Sequence, residues 1–372
     1  MGVLLIVLGS VLLALTLSAA AMFGFMRWYD RQTDGTAYYA RSSDERRAFK
    51  RQLARHARWI LPLVRLFTRV VRPREPASIE LDGVTGPAQT CTRELFARTR
   101  DYRPVAGDVF VATQMKCGTT WMQQLVYELL SRGHGDLGDA GHRHMYALSP
   151  WIESRHSVSL ADAPRVGMGA GADGGARIIK THMPVALCPY AEEARYIYVT
   201  RDPVACFASC VDFLGMLGGP FIPPAVDLVD WYCSDRMWWR SWPEHVEGWW
   251  RWAEERPNVM FVHYETMLDD LPGVVDRVAA FLETPLSPAE RRRVVEKSGF
   301  EYMKAHEDVF EMSPPTPFSA GGVFLKSGGR DRGRDVGEAG RARILAFCRE
   351  RLAGASYPLE RFYPEVAEKP PA

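Results

Sequence analysis

The segment Val109-Phe-Val-Ala-Thr-Gln-Met-Lys116-Cys117-Gly118-Thr119-Thr120-Trp121 has the pattern of a buried strand, a short loop and the start of a helix. Residues 109–112 are an apolar run of strand length, and residues 121–130 place apolar side chains at helical spacing. The loop therefore lies at a helix N-terminus, where unpaired N–H groups and the helix dipole attract an anion. Gly118 permits close approach, and Lys116 adds a positive charge. These features predict a phosphate site and suggest a nucleotide cofactor.

The order of the loop residues excludes one common nucleotide motif. The P-loop of nucleoside triphosphatases has glycine, four residues, and then Gly-Lys-Ser/Thr. Here Lys116 precedes Gly118, and no other stretch supplies the required order. A structural alternative stays open on the residues alone, in which a threonine caps an ordinary helix and Lys116 is solvated.

The loop resembles a motif of one enzyme family. Residues 114–121 are similar to the 5′-phosphosulfate loop (Tyr-Pro-Lys-Ser-Gly-Thr-Thr-Trp) of the cytosolic-type sulfotransferases, which use 3′-phosphoadenosine 5′-phosphosulfate (PAPS). Cys117 stands in place of the serine, and Gln114-Met115 in place of Tyr-Pro. The resemblance implies that the cofactor contacts Lys116, Cys117, Gly118, Thr119, Thr120 and Trp121.

A second match supplies the expected catalytic groups. Arg177-Ile-Ile-Lys180-Thr181-His182-Met-Pro is similar to the family's strand that ends in Lys-Thr-His-Leu-Pro. His182 is the predicted base, because an imidazole with an ordinary pKa near ~6.5 can take the acceptor's proton at neutral pH. Lys116, with Lys180 as a second cation, would stabilise charge on the leaving oxygen. The structural alternative is a buried histidine with two solvated lysines.

Later matches complete the expected cofactor site. Residues 196–209 resemble the 3′-phosphate motif, with Arg201 and Ser209 at the required spacing and Pro203 opening a helix. An arginine fork suits phosphate because it donates two parallel hydrogen bonds. The run Val259-Met-Phe-Val-His-Tyr264-Glu265 resembles the family's strand that ends in Tyr-Glu. Weaker similarities add Ser298 and Phe300, in a motif that lines the adenine, and Lys326, Ser327 and Gly328. Which basic residue of the loop 326–334 meets the 3′-phosphate is left open.

The resemblance, over about residues 104–357, implies fold and function together. We expect an α/β fold with a central parallel sheet flanked by helices, a P-loop-like sulfotransferase architecture with ligand motifs at the carboxyl ends of the strands. Residues 101–365 form the predicted catalytic domain. The implied reaction transfers the sulfuryl group of PAPS to a hydroxyl or amine of a small, hydrophobic acceptor, and no metal is invoked.

Composition narrows the function classes and the compartment. A net charge of +1 over 372 residues is typical of a globular protein and speaks against a nucleic-acid partner. Seven scattered cysteines imply no disulfide framework, which favours a reducing compartment.

The N-terminus predicts a membrane anchor. Residues 1–26 carry no charge and exceed the about 20 residues that cross the ~30 Å hydrocarbon layer. Arg27, Trp28 and Tyr29 follow, with further basic residues downstream. This pattern indicates a single-pass helix in membrane lipid with the catalytic domain facing the cytosol. A signal peptide is the alternative, since Ala19-Ala20-Ala21 offers small residues, but a positive n-region is missing.

Residues 27–100 are predicted to be a basic juxtamembrane extension. Phe49, Leu53, Ile60, Val64 and Phe67 alternate with arginines, which indicates an amphipathic helix. A helix at the membrane surface and a helix packed on the catalytic domain fit this pattern equally.

Two other function classes stay open. A Golgi-type carbohydrate sulfotransferase would share the phosphate motifs, but should carry basic residues before the anchor and paired luminal cysteines. A non-enzymatic nucleotide-binding protein would keep Arg201 and lose the base, whereas His182 and Lys116 are both present. A homodimer is left open.

Overall fold

Parallel strands form the centre of the computed structural model, which describes residues 2–70, 73–135, 137, 144–167, 174–311, 314–318 and 336–367. The strands are β1 Ser78–Leu81, β2 Val84–Pro87, β3 Asp108–Thr113, β4 Arg177–Thr181, β5 Arg195–Thr200 and β6 Val259–His263. β3 to β6 form one parallel sheet in the order β4-β3-β5-β6, and β1 and β2 pair as an antiparallel hairpin. The predicted α/β fold with a central parallel sheet is confirmed.

Helices connect and cover these strands. They are α1 Gly2–Thr33, α2 Ser43–Val70, α3 Arg93–Asp101, α4 Thr119–Leu130, α5 Met145–Leu148, α6 Pro203–Gly218, α7 Ala225–Tyr232, α8 Trp242–Glu255, α9 Tyr264–Asp269, α10 Leu271–Phe281, α11 Pro288–Lys297, α12 Phe300–Ala305, α13 Glu338–Arg351, α14 Leu359–Phe362 and α15 Pro364–Ala367. Short 3₁₀ turns cover Gly219–Phe221 and Glu307–Val309. The cap of α6 is Asp202 followed by Pro203, and the start of α11 is a capping box, as their sequences predict.

The two faces of the sheet belong to two hydrophobic clusters. Because side chains alternate along a strand, Phe110 of β3 and Tyr196 of β5 point to one face, whereas Val111 and Ile197 point to the other. The aromatic face packs against α8, whose Trp242 and Trp249 are fully buried. The aliphatic face packs against α4. Most of the tryptophans between 231 and 252 are buried in the core.

The carboxyl ends of the four parallel strands lie at one edge of the sheet. Register places Ala112 beside Thr181, Thr113 beside Val199, and Thr200 beside His263. The residues that follow each strand are therefore brought to this edge together. The candidate site is built there.

The N-terminal helices form a hairpin against the catalytic domain. α1 continues to Thr33, seven residues beyond the predicted anchor 1–26. α2 buries Phe49 and Leu53 in the main hydrophobic cluster, while its Trp59 is 83% exposed. One face of α2 is thus packed on the catalytic domain, which is one of the two arrangements that its sequence allows. β1, β2 and α3, which fall within the predicted extension 27–100, also contribute side chains to that cluster.

The helix over Pro203–Phe221 has the length and apolar composition of a membrane span. This helix buries Phe207 and Leu214 in the main cluster, so it is interpreted as a core helix of the catalytic domain.

Candidate active site

The loop between β3 and α4 presents a bare helix N-terminus. Gly118 is the N-cap of α4, and no side chain caps the helix. The alternative in which a threonine side chain caps this helix is therefore not observed. Gly118 has a φ of +99°, and a Cβ built there would lie 2.7 Å from Cδ2 of Tyr264. Only glycine fits, so the first-turn N–H groups of α4 keep their position for an anion.

Side chains of the loop divide between the site and the core. Lys116 adopts a φ of +66°, and its Nζ lies 4.4 Å from the ring centroid of Phe213. Thr119 Oγ1 lies 2.7 Å from Thr113 Oγ1. Cys117 is fully buried, with its Sγ 3.7 Å from Sγ of Cys206. The side chain of Cys117 therefore packs in the core, and its backbone N–H is what it can offer to a ligand. Thr120 is buried in the first turn of α4.

His182 follows β4, and a hydrogen bond to the backbone fixes its ring. Its Nδ1 lies 2.8 Å from the backbone oxygen of Thr113. Since a carbonyl oxygen only accepts, Nδ1 carries the hydrogen, which leaves the lone pair on Nε2. Burial lowers the pKa of His182 well below its usual value, and the positive charge of Lys180 lowers it further. The imidazole is therefore neutral at neutral pH.

Aromatic rings surround this histidine. The ring centroids of Trp151 and Trp239 lie 5.3 and 4.8 Å from that of His182. Trp239 has a φ of +59° and the following Arg240 a φ of +76°. Such strained backbone persists only where the surroundings hold it, and here Thr85 O accepts from Trp239 N at 2.7 Å. The imidazole of His182 is thus flanked by two indole rings.

Lys180, two residues before His182, is fully buried. Its Nζ donates to the hydroxyl of Tyr146 at 2.9 Å and lies 3.7 Å from the ring centroid of Trp151. Burial lowers the pKa of Lys180 to about 7, the negative charge of Glu153 opposes this shift, and the charge of Lys116 adds to it. Both predicted catalytic lysines therefore lie near the carboxyl edge of the sheet.

Glu153 is a site residue that the sequence analysis missed. Its Oε1 accepts from the backbone N–H of His182 at 2.6 Å, and its Oε2 accepts from the hydroxyl of Thr181 at 3.0 Å. Burial raises the pKa of this carboxyl group. Glu153 fixes the end of β4 and so the position of His182. The stretch Pro150-Trp-Ile-Glu153 carries no motif that would have indicated this position.

His245 of α8 is a second missed residue. Its Nε2 donates to the backbone oxygen of His182 at 2.9 Å, so its Nδ1 accepts from the hydroxyl of Tyr198, also at 2.9 Å. Burial lowers the pKa of His245 to about 4. This neutral histidine holds the main chain of His182 in place.

The residues predicted for the 3′-phosphate lie at the end of β5 and in α6. Arg201 is 5% exposed, and its guanidinium carbon lies 4.5 Å from the ring centroid of Tyr264. Its backbone oxygen accepts from Trp242 Nε1 at 2.9 Å. Ser209 is buried in the second turn of α6, the helix that begins two residues after Arg201. The side chain of Arg201 is thus packed on Tyr264, while Trp242 holds its backbone.

The residues predicted for the adenine meet beside α4. Trp121 Nε1 donates to the backbone oxygen of Ser298 at 2.7 Å, and its ring is edge-on to Tyr264 at 5.4 Å. Phe300 begins α12 two residues after Ser298. The structure thus brings three distant segments of the chain together around Trp121.

Part of the predicted site cannot be placed. Lys326, Ser327 and Gly328 lie outside the described residues, as does the rest of the basic loop. Within the described residues, no group of three or more His, Cys, Asp or Glu side chains could hold a metal ion.

Comparison with known proteins identifies the family. Residues 106–354 match the model of the sulfotransferase domain. The chain belongs to the sulfotransferase family. The predicted identity as a sulfotransferase enzyme is therefore confirmed. The chain is 27% identical over 253 residues to a 3-alpha-hydroxysteroid sulfotransferase of Cavia porcellus, covering 66% of this chain and 84% of that protein. It is 24% identical over 234 residues to human sulfotransferase 2A1, covering 61% and 77%.

Solved structures share the sulfotransferase fold. Mouse sulfotransferase SULT7A1, complexed with PAP, superposes with a TM-score of 0.58 at 17% identity, covering 78% of this chain and 98% of that one. Retinol dehydratase, in a complex with retinol and PAP, gives a TM-score of 0.56 at 22% identity, covering 74% and 91%. These likenesses support the fold. The family match begins at residue 106, so the N-terminal hairpin lies outside it.

Proposed function

We propose that this sulfotransferase moves the sulfuryl group of PAPS to a hydroxyl or amine of a small, hydrophobic acceptor. The observation that carries the proposal is the orientation of His182, whose Nδ1–H donates to Thr113 O and whose Nε2 lone pair is left for an acceptor. A non-enzymatic nucleotide-binding protein would have no use for a base held in this way beside a buried lysine.

The proposed nucleotide position follows from the edge of the sheet. The 5′-phosphosulfate lies at the N-terminus of α4, where Gly118 permits close approach and Lys116 adds charge. The 3′-phosphate lies on Arg201 and Ser209, with the loop 326–334 completing that end. The adenine lies beside Trp121. PAP in the related solved structures supports this choice of nucleotide.

The proposed transfer is an in-line displacement at sulfur. The acceptor hydroxyl gives its proton to Nε2 of His182 as its oxygen attacks sulfur. The bond from sulfur to the 5′-phosphate oxygen breaks, and 3′-phosphoadenosine 5′-phosphate (PAP) leaves. Negative charge grows on that oxygen, and the cations of Lys116 and Lys180 stabilise it in a site that excludes water.

The proposed acceptor is apolar around its reacting group. The rings of Trp151 and Trp239 lie next to His182, and indole faces pack well against hydrocarbon. Two of the similar proteins are named as hydroxysteroid sulfotransferases, which supports acceptors of this kind.

The proposed location is a membrane, with the catalytic domain in the cytosol. α1 has 32 residues, about 48 Å at 1.5 Å per residue, which exceeds the ~30 Å hydrocarbon layer. Its Leu13, Leu17 and Phe23 are exposed apolar side chains. All seven cysteines are free and buried, as suits a reducing compartment. A homodimer stays a prediction, which light scattering of the detergent-solubilised protein would test.

A transfer assay tests the proposed function. Full-length protein in detergent is given PAPS labelled in the sulfuryl group, with separate panels of hydroxysteroids, phenols, amines and glycans. We expect labelled product from small apolar acceptors and none from glycans. Transfer to glycans alone would instead support the carbohydrate class.

A further inference from the structure

The N-terminal hairpin is attached to the catalytic domain by specific polar contacts. Tyr38, between α1 and α2, donates to Glu311 Oε2 at 2.7 Å. Arg46 of α2 is 2% exposed and lies 3.1 Å from Asp308 Oδ2. Lys50 also pairs with Glu311. A buried ion pair with added hydrogen bonds fixes geometry. The hairpin is therefore docked in one position.

Further contacts hold the end of α1, where the turn between the helices begins. The hydroxyl of Tyr29 donates to the backbone oxygen of Pro315 at 3.1 Å. Nδ1 of His156 donates to the backbone oxygen of Thr33 at 2.8 Å. The turn at residues 34–42 is thus held against the domain, although it lies outside the family match at 106–354.

Tyr39 in this turn packs against aromatic rings of the catalytic domain. Its side chain is fully buried, and its ring centroid lies 4.5 Å from that of His144 and 5.5 Å from that of Tyr146. Within the described residues its hydroxyl has no hydrogen-bond partner. The aromatic ring, and not the hydroxyl, is therefore what Tyr39 contributes to its surroundings.

The neighbour of Tyr39 is a direct partner of the buried lysine. Tyr146 accepts the hydrogen bond of Lys180 Nζ at 2.9 Å, and its backbone N–H donates to Nδ1 of His144 at 3.1 Å. Lys180 in turn lies against Trp151, which contacts His182. A continuous series of contacts therefore leads from the hairpin to the catalytic cation and base.

We infer that Tyr39 is a positioning residue for sulfuryl transfer, an inference that rests on the proposed function. Its ring fills the space behind Tyr146 and holds the hydroxyl to which Lys180 donates. A smaller side chain at position 39 would leave a cavity, because protein interiors relax only partly around a lost ring. Tyr146 could then turn away, and water would reach Lys180.

Matched variants of the full-length protein separate the ring from the hydroxyl. Tyr39→Phe should keep kcat within about twofold, because no partner of the hydroxyl is lost. Tyr39→Ala should lower kcat about tenfold or more, with the Kd of PAP unchanged. Tyr146→Phe, which removes the acceptor of Lys180, should lower kcat in the same direction. Androsterone, a hydroxysteroid, is the acceptor probe, with labelled PAPS as donor.

A control variant tests docking without touching Tyr146. Tyr38→Phe removes the hydrogen bond to Glu311, so it should lower the Tm while the folded protein keeps its kcat. Tyr39→Phe should leave the Tm unchanged or raise it, because an unpaired buried hydroxyl is removed. If Tyr39→Ala does not fold, Tyr39→Leu fills part of the space and replaces it in the comparison.

A binding measurement needs no acceptor and reports on the cations that face the sulfuryl group, Lys180 and Lys116. PAPS and PAP differ by the sulfuryl group, so the ratio of their Kd values depends on the cation that faces it. The charged or titratable groups acting on Lys180 are Glu153, Lys116, Cys91, His182 and Tyr146. With the pKa of Lys180 at about 7, the preference for PAPS should fall as pH rises through neutrality. In Tyr39→Ala, entry of water should move this fall to higher pH by about one unit.

The outcomes separate this inference from the proposed function. Absence of transfer by the wild type would contradict the proposed function. The ratio of the Kd values of PAPS and PAP would still test the role of Tyr39, because it needs no acceptor. The inference is overturned if Tyr39→Phe loses as much kcat as Tyr39→Ala, or if Tyr39→Ala keeps wild-type kcat. It is also overturned if the ratio of the Kd values of PAPS and PAP depends on pH in the same way in the wild type and in Tyr39→Ala.

Discussion

Replacing His182 by asparagine removes the proposed base and keeps the hydrogen bond that orients the residue. The amide nitrogen of asparagine reaches the position of Nδ1, which donates to Thr113 O at 2.8 Å, whereas nothing replaces Nε2. General-base catalysis typically contributes 10²–10⁴-fold. His182→Asn should therefore lower kcat at least about 100-fold, which is about 2.7 kcal/mol of barrier. The Kd of PAP should hardly change.

Two further variants calibrate this loss. His182→Gln places an amide near Nε2 but loses the bond to Thr113, so it should be equally inactive and about 1 kcal/mol less stable. His245→Gln keeps a donor to the backbone oxygen of His182, as seen at 2.9 Å in the structure, and should keep most of its activity. Initial rates of labelled sulfuryl transfer and urea unfolding measure the two effects.

The pH profile supplies an independent check. The active form of His182 is the neutral imidazole, and burial with the charge of Lys180 lowers its pKa. The acidic limb of kcat/KM for PAPS, which reports the free enzyme, should therefore lie below the ordinary ~6.5. The bound anion offsets the lysine charges and raises the pKa of His182, so the acidic limb of kcat should lie at higher pH. A folded His182→Asn variant with kcat within tenfold of the wild type would refute the assignment of the base.

Three other predictions concern the nucleotide and the membrane. Gly118→Ala puts a Cβ 2.7 Å from the ring of Tyr264 at a φ of +99°, so PAP should no longer raise the Tm of this variant. In the control Gly215→Ala the new Cβ meets no atom within 4 Å, so PAP should raise its Tm as in the wild type. A normal rise in Tm for both variants would contradict the close approach of the phosphate to Gly118. PAP should raise the Tm more than adenosine 5′-phosphate does, and Arg201→Ala should erase the difference; equal shifts in the wild type would count against a 3′-phosphate site. Carbonate washing should leave the full-length protein in the membrane pellet. Protease added outside sealed vesicles should digest the catalytic domain. Deletion of residues 2–22 should release an active enzyme from the membrane. Protection from protease would place the catalytic domain in a lumen.

The motifs at the strand ends were predictable because short-range chemistry defines them. A buried strand, a glycine and a helix start within a dozen residues indicate an anion site, and the structure places Gly118 at the N-cap of α4. Register then brings His182, Arg201 and Tyr264 to the same edge, which follows from any parallel arrangement of their strands. The local pattern and the topology point to the same edge.

The supporting residues were not predictable because tertiary packing alone selects them. Glu153 reaches the backbone of His182 across 29 residues, and His245 reaches it across 63. Neither lies in a pattern that distinguishes it from an ordinary loop acid or core histidine. Tyr39 is the extreme case, since its place beside Tyr146 depends on the docking of a hairpin that no family motif describes.

The structure of the complex with PAP tests the central claim most directly. The account predicts the 5′-phosphate at the N-terminus of α4, within hydrogen-bond distance of the backbone N–H groups of Gly118 and Thr119 and of Lys116 Nζ, with the 3′-phosphate on Arg201 and Ser209. Nε2 of His182 should then face the open side of the 5′-phosphate, where sulfur would be attacked. A nucleotide bound with its phosphates exchanged, or away from the carboxyl edge of the sheet, would contradict it.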